Sequence, residues 1–590
     1  MRHSSDLPAP RDVVTAAELL PGDLLALSDS DVGEDRWYVV THVLPESPDT
    51  IRVALRPPLG GRDHEELLEP TRRVTVSARR TDIDKAACVD SADLGAARFR
   101  DGDRVSILRT VDPRAVEESY TRRWGFWHRD ADRSAVKPLA DDELRERAAR
   151  DPRDHVVRLL PRPVRPADGI GPRRVVVTGL GAITPLGVGT STLWEGLLDG
   201  RCGIRELQGE EFAGLPIRIA GTVPVDPVDF LPRPAARRMN RAAQFAVLAA
   251  REAWADAGFA EGGTRESGLD PERAGVSIGA ILGDASVLVG GDRNLRDKGP
   301  RAVSPLTTPM TVPSQAASQI SLALHLTGEA RTVTSACASG TEAIGQAIDR
   351  IRYGRIDVAL AGGAEAVVTP AIMASFAAMR ALSTHGLDTG SPSRPFAKDR
   401  NGFVNGEGAG LLVLEAEEHA RARGARIYCE AAGWGLSADA HHMAAPDPSG
   451  SGVALAMRRA LADAGGHAAD VVHVNAHATA TVDGDLAEAG ALGAVLGGPD
   501  GLRSVPVTAL KGSLGHLQGA AGGVEAVVTV LTLHHALIPP TLGCETQDEA
   551  IDVDLVTGQP RPLPTTGDLA LSNSFGFGGH NAVLALRRTT

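Results

Sequence analysis

From Arg173 onward, short runs of apolar and β-branched residues alternate with longer stretches of helical spacing, and this alternation constrains the fold most. Val175-Val-Val-Thr-Gly-Leu-Gly181 reads as a buried strand followed by a tight glycine turn, and Ile356-Asp-Val-Ala-Leu-Ala-Gly-Gly363 as another. A second set follows at Val471–Asn475, Val505–Leu510 and Leu569–Asn573. Strands of this kind, joined by helices, predict an α/β architecture with parallel strands covered on both faces. In such sheets functional residues gather just beyond the carboxyl ends of strands.

Four strand ends carry reactive groups. Thr332–Thr334 runs into Cys337, and a helix is predicted beyond it, with Ala343, Ile344, Ala347, Ile348 and Ile351 on one face. A cysteine at a helix N-terminus feels the positive end of the macrodipole and free N–H groups, which together favour the thiolate. Val471–Asn475 runs into His477, Thr479 and Thr481, with Gly484 and Asp485 after them. Val505–Leu510 runs into Lys511-Gly-Ser-Leu-Gly-His516, with Glu525 further on. Leu569–Asn573 runs into Ser574-Phe-Gly-Phe-Gly-Gly-His-Asn581. A lone cysteine is more often a small buried hydrophobe, and a lone loop histidine is more often structural. Two histidines and a lysine placed alike on strand ends favour a nucleophilic sulfur assisted by imidazoles. No acidic or cysteine partner at short spacing completes a metal site around His477 and His516, so no metal is expected.

The first ~170 residues differ. They are rich in Arg, Asp and Pro and hold Trp37, Trp124 and Trp127, half of the six tryptophans. Leu20-Pro-Gly-Asp-Leu-Leu-Ala-Leu27 and Arg100-Asp-Gly-Asp-Arg-Val-Ser-Ile-Leu108 each set a Gly-Asp turn before an apolar strand. Further strands are expected at Trp37–Leu44, Ile51–Leu55 and Arg73–Val76, and a charged helix near Asp141–Arg150. Residues 1–160 are thus expected to form one or two small β-barrels, followed by a proline-rich linker at 161–172.

Composition narrows the function classes. A net charge of −13 gives no general reason to expect nucleic-acid binding. The five cysteines lack the paired spacing of a disulfide framework or zinc site and fit a reducing, cytoplasmic setting. No uninterrupted apolar run approaches the ~20 residues that span a bilayer, and Met1–Pro8 has no apolar signal core.

The stretch from Arg173 to Arg588 resembles a β-ketoacyl-acyl-carrier-protein synthase of the I/II type, a decarboxylating condensing enzyme. The resemblance rests on Ser335-Ala-Cys-Ala-Ser-Gly340, on Lys511…Gly515-His516, and on Asn573-Ser-Phe-Gly-Phe-Gly-Gly579. Gly299–Pro305, Arg394–Arg400 and Gly402-Phe-Val-Asn-Gly-Glu-Gly408 support it. It implies the thiolase fold, two pseudo-symmetric halves in five αβαβα layers, usually dimeric; the halves would span residues 173–424 and 425–590. It implies that Cys337 accepts an acyl chain from a carrier protein's phosphopantetheine, with the N–H groups of Cys337 and Phe577 as oxyanion hole. His477 and His516 would act on malonyl thioester, and Lys511, paired with Glu525, would set the tautomer of His516. Thr479 and Thr481 would hold the pantetheine arm, Phe575 and Phe577 would gate the acyl chain, and Asp485 would support the site. Arg237 and Arg238 would meet the carrier protein. No cofactor is implied beyond the phosphopantetheine that the carrier brings.

Ala478 and Ala480 stand where the family commonly has Gly and Gly/Ser, Val482 where it has Pro, and His580 where Thr is frequent. The function implied is 3-oxoacyl-acyl-carrier-protein synthesis in fatty-acid or type II polyketide formation. A non-elongating partner subunit of a heterodimeric complex is the alternative, and Cys337 argues against it. A third-type initiating synthase would use Cys-His-Asn, and a thiolase would need a second cysteine near the C-terminus.

Overall fold

The computed structural model describes residues 173–497 and 505–589 throughout, and before them the backbone of strands lying between Asp12 and Leu160. The chain divides into two compact units, residues 1–168 and 169–590.

In the first unit the strands form two antiparallel sheets. One has the order Asp12–Thr15, Arg73–Ala78, Leu24–Ser28, Asp35–Ser47, Thr50–Arg56, His64–Leu68. The other runs Phe126–Arg129, Glu117–Arg123, Arg104–Arg109, His155–Leu160, Ala87–Val89. Each sheet pairs its first strand with its last, and its last with its second. In each, the Gly-Asp pair (Gly22-Asp23 or Gly102-Asp103) directly precedes that second strand. The expected helix near Asp141–Arg150 and the linker at 161–172 lie outside the described residues.

The second unit is built on one large mixed sheet. Its main strands are β1 (Val175–Thr184), β2 (Ala274–Gly279), β3 (Glu329–Val333), β4 (Val358–Glu365), β5 (Gly408–Ala416), β6 (Cys429–Ala438), β7 (Val471–Asn475), β8 (Pro506–Thr508), β9 (Leu569–Gly576) and β10 (His580–Arg588). Their order is β3-β2-β4-β5-β1-β6-β10-β9-β7-β8. Each half therefore repeats one order, with β1 and β6 meeting at the centre through Val176↔Glu430 and Val177↔Cys429. In each half three strands are mutually parallel, β3-β2-β4 and β8-β7-β9, and the other two, β5-β1 and β10-β6, join by successive antiparallel pairings. The register gives the pseudo-symmetry that the resemblance implied.

Helices α1 (Arg241–Asp256) and α2 (Gln315–Leu324) cover the first half, and α4 (Ser451–Asp463) and α5 (Val482–Leu496) the second. Between the halves lie α3 (Ser339–Arg352) and α6 (Ala521–His535), each touching strands of both halves. The sequence accounts for this layering. Every residue of β1 is buried, as an apolar strand covered on both faces requires. In α6 every residue from Ala521 to Leu533 is buried, the mark of a helix without a solvent face. The central helix α6 lies so close to the strands that a Cβ on Gly523 would sit 2.3 Å from the Gly410 carbonyl oxygen. Ala343, Ile344, Ala347, Ile348 and Ile351 are buried, as the spacing predicts. The chain passes between halves after a short helix, Glu417–Ala422, ahead of β6.

Candidate active site

Strand β3 of the first half and the parallel strands β7, β8 and β9 of the second deliver their following residues to one place. A cavity of about 440 Å³ is lined by Cys337, His477, His516, Gln518, Phe575 and Phe577, together with Thr479 and Thr481.

Cys337 occupies a tight elbow between β3 and α3. Ala336 before it has φ 51°, and Ser339 Oγ accepts from the Ser335 N–H at 2.9 Å and donates to the Ala336 carbonyl at 2.6 Å. Cys337 is 5 % exposed. The turn after β9, held open by Gly578 (φ 85°) and Gly579 (φ 73°), brings the Phe577 N–H to the sulfur, beside the N–H of Cys337 itself. Gly576 is needed there, because a Cβ would fall 2.9 Å from the Cys337 nitrogen. Desolvation pushes the thiol up to about 11, against the field of Lys511 and the two N–H groups. This differs from the thiolate expected at the helix N-terminus: burial outweighs Lys511 and the two N–H groups and favours the thiol.

The two imidazoles stand edge to face, ring centroids 5.5 Å apart. Both are held well below the ordinary histidine range, by burial first and then by the Lys511 charge, so both are neutral. Their hydrogen bonds settle the tautomers. His516 Nδ1 accepts from the Gln518 N–H at 3.2 Å, so its proton is on Nε2, which is buried without a partner. His477 Nδ1 faces Lys511 Nζ at 3.4 Å, which again leaves the proton on Nε2. Lys511 also donates to the His477 carbonyl at 2.6 Å and pairs with Glu525, so that ion pair is present. The assignment of Lys511 to His516 is thereby corrected: its ammonium reaches His477, and the backbone of Gln518 orients His516.

Two carboxylates from α5 pin the His477 loop. Glu488 accepts from the N–H groups of His477 (2.9 Å) and Ala478 (2.7 Å). Asp485 accepts from Ala480 N–H (3.1 Å) and Phe396 N–H (2.8 Å), and burial raises its carboxyl to about 7. The sequence marks Glu488 only as a charge within the Ala-rich part of α5, a helix that also carries Asp483 and Asp485. Sequence reading alone singles out neither Glu488 nor Gln518. Thr479 and Thr481 join their hydroxyls at 3.0 Å, and Phe575 stacks edgewise on His477 with centroids 5.5 Å apart. Arg237 and Arg238 are exposed and lie outside the cavity lining.

Two family descriptions match the chain: the Beta-ketoacyl synthase N-terminal domain over residues 172–420, and the Beta-ketoacyl synthase C-terminal domain over residues 428–545. The chain belongs to the β-ketoacyl synthase family. It is 40 % identical over 417 residues to a 3-oxoacyl-[acyl-carrier-protein] synthase 2 of Vibrio cholerae, covering 70 % of this chain and 99 % of that protein. It is 41 % identical over 416 residues to the protein of that name from Staphylococcus aureus strain MRSA252, covering 70 % and 98 %. Among solved structures, a β-ketoacyl synthase from Burkholderia phymatum superimposes with TM-score 0.65 at 35 % identity, covering 71 % of this chain and all of that one. The ishigamide ketosynthase/chain length factor gives 0.64 at 35 %, with the same coverage. A type II polyketide ketosynthase solved with its acyl-carrier protein and a hexaketide gives 0.64 at 33 %, again with that coverage. The fold is that of these condensing enzymes, and the N-terminal unit lies outside both matched regions.

Proposed function

We propose that this β-ketoacyl synthase forms 3-oxoacyl thioesters by decarboxylative condensation, with Cys337 carrying the acyl chain. The observation that carries the reading is the shared cavity: a thiol under two N–H groups, facing two neutral imidazoles that present Nε2–H donors. In the first half-reaction the Cys337 sulfur attacks the acyl thioester carbonyl, the carrier's C–S bond breaks, and the thiol proton leaves with the carrier thiol. The N–H groups of Cys337 and Phe577 stabilise the oxyanion.

In the second half-reaction the malonyl thioester oxygen accepts from Nε2 of His477 and His516. The bond to its carboxylate breaks, CO2 departs, and the electron pair is held as an enolate. That carbanion attacks the acyl-Cys337 carbonyl, and the sulfur leaves and recovers a proton. Charged imidazoles could give a proton to the carbanion and quench it, so neutral imidazoles that only donate hydrogen bonds suit the enolate. The scheme calls on no redox cofactor or metal. Thr479 and Thr481 line the approach expected for pantetheine, and Phe575 and Phe577 the acyl gate. A carrier protein is the proposed donor, contacting Arg237 and Arg238, and a homodimer or ketosynthase heterodimer the proposed assembly. No helix among the described residues is long and apolar enough to cross a membrane, and a cytoplasmic setting is part of the proposal.

Intact-mass measurement after incubation with acyl-carrier thioesters tests the reading. A mass gain on wild type that Cys337→Ala lacks, followed by a 3-oxoacyl product on adding malonyl carrier protein, is expected. Acylation that persists in Cys337→Ala would overturn it.

A further inference from the structure

A buried amide pair lies against the nucleophile, and none of the steps above uses its side chains. Gln518 Nε2 donates to Asn405 Oδ1 at 3.0 Å, with Gln518 3 % exposed and Asn405 fully buried. Groups that can only accept set the orientation of both amides. Asn405 Nδ2 reaches the Val367 carbonyl oxygen at 3.4 Å and Met373 Sδ at 3.5 Å, which turns Asn405 Oδ1 towards Gln518. Only the nitrogen of Gln518 can satisfy that oxygen. Gln518 Oε1 is thereby aimed at Cys337, 3.8 Å from Sγ, where it accepts the thiol S–H. Among the described residues no other donor reaches it.

Acylation removes this donor. Once S–H becomes S–C(=O)R, a buried amide oxygen is left beside the first carbons of the bound chain. A saturated chain places methylene groups there and leaves the oxygen unpaired. A hydroxyl at the third carbon restores the lost hydrogen bond. Sites built around a fixed hydrogen-bonding group reject analogues that lack the complementary one far more strongly than apolar pockets reject a change of size.

We propose that Gln518, positioned by Asn405, selects acyl chains bearing a hydroxyl donor at C3, as a 3-hydroxyacyl group or the enol of a 3-oxoacyl group. The inference rests on Cys337 being the acylated nucleophile and deepens that reading by naming a substrate class. Transfer is the same exchange as before: the donor thioester C–S bond breaks, the Cys337 C–S bond forms, and the thiol proton departs with the donor's thiol.

The test measures initial rates of Cys337 acylation by intact mass on the full-length protein. Carrier-bound saturated, 3-hydroxy, 3-oxo and 3-methoxy chains of equal length are compared. The 3-hydroxy and 3-oxo chains should react at least about ten-fold faster than the saturated chain. The 3-methoxy chain, which has the oxygen without the proton, should group with the saturated one. Gln518→Leu should abolish the ratio, and Asn405→Leu, which frees the amide to turn, should reduce it. Equal rates in wild type, a 3-methoxy chain as fast as the 3-hydroxy chain, or an unchanged ratio in folded Gln518→Leu would each overturn the proposal. The wild-type panel decides the matter even if the variants fail to fold. Absence of acylation from every donor would instead indict the reading of Cys337.

Discussion

Replacing Lys511 by Met separates what the buried ion pair does for stability from what it does for chemistry. Lys511 is 2 % exposed and Glu525 3 %. Methionine fills similar space but removes the pairing with Glu525, the bond to the His477 carbonyl and the donor facing His477 Nδ1. Leaving one member of a buried pair uncompensated costs about 3–5 kcal/mol, a large share of a typical domain's stability. The chemical loss has a different origin. Without a donor at Nδ1 the His477 proton can sit on either nitrogen, and Nε2 then presents a lone pair to the enolate. Losing one donor to a developing oxyanion costs about 10²–10³ in rate. Lys511→Met with Glu525→Met should recover much of the stability, because apolar replacement of a buried pair is often neutral or better. Malonyl decarboxylation should stay depressed in both variants. Denaturant melts report the first quantity and CO2 release from malonyl carrier protein the second. A double variant that regains decarboxylation along with stability would refute the assignment of Lys511 to His477, as would wild-type decarboxylation in the single variant.

Glu365 should tilt the pH dependence of stability. It is fully buried, and desolvation raises its carboxyl from 4.5 to about 8 despite N–H donors from Ile281, Leu282 and Gly519. A group raised in this way contributes stability that is complete below its unfolded value and lost as pH climbs to the folded value. Denaturant melts of Glu365→Gln should therefore decline less than wild type between about pH 4.5 and about 8, and parallel curves would count against the buried protonated carboxyl. Charge reversal of Arg237 and Arg238 should raise KM for carrier-bound substrate about ten-fold at low salt while leaving turnover of free acyl-pantetheine unchanged. Equal KM values would place the carrier elsewhere.

The strand-end pattern was the legible part of the chain. Runs such as Val175–Thr184 read as covered strands, and the residues beyond the parallel β7, β8 and β9 then share one end of the second half. His477, Lys511 and His516 follow from that geometry, and the packing of the two halves brings Cys337, beyond β3, to the same cavity. Which imidazole Lys511 serves does not, because it depends on the turn of a four-residue helix, Lys511–Leu514, that points Nζ back over the His477 loop. The protonation of Cys337 was misjudged for a related reason: a sequence shows a helix N-terminus but not the depth of burial that opposes it. The Asn405–Gln518 pair was invisible because it joins residues 113 positions apart.

Ala478 and Ala480 show how the site holds a backbone that its own residues resist. Their φ angles are 24° and 67°, in the region where a Cβ costs roughly 1–2 kcal/mol and where glycine is the easier residue. The loop keeps this conformation because its N–H groups are committed from the other side. Glu488 takes those of His477 and Ala478, and Asp485 takes that of Ala480. Arg400 closes the far end, donating to the carbonyls of Thr481 (3.3 Å) and Val482 (3.0 Å), while Phe396 N–H holds the second oxygen of Asp485. The Arg394–Arg400 segment thus supports the histidine loop without touching the cavity, and the strain at the alanines is offset by hydrogen bonds to carboxyl groups in a buried setting. The same contacts fix the direction of His477 Nε2–H. Alanine is tolerated at these two positions because the carboxylates of α5, and not the intrinsic preference of the loop, determine its path.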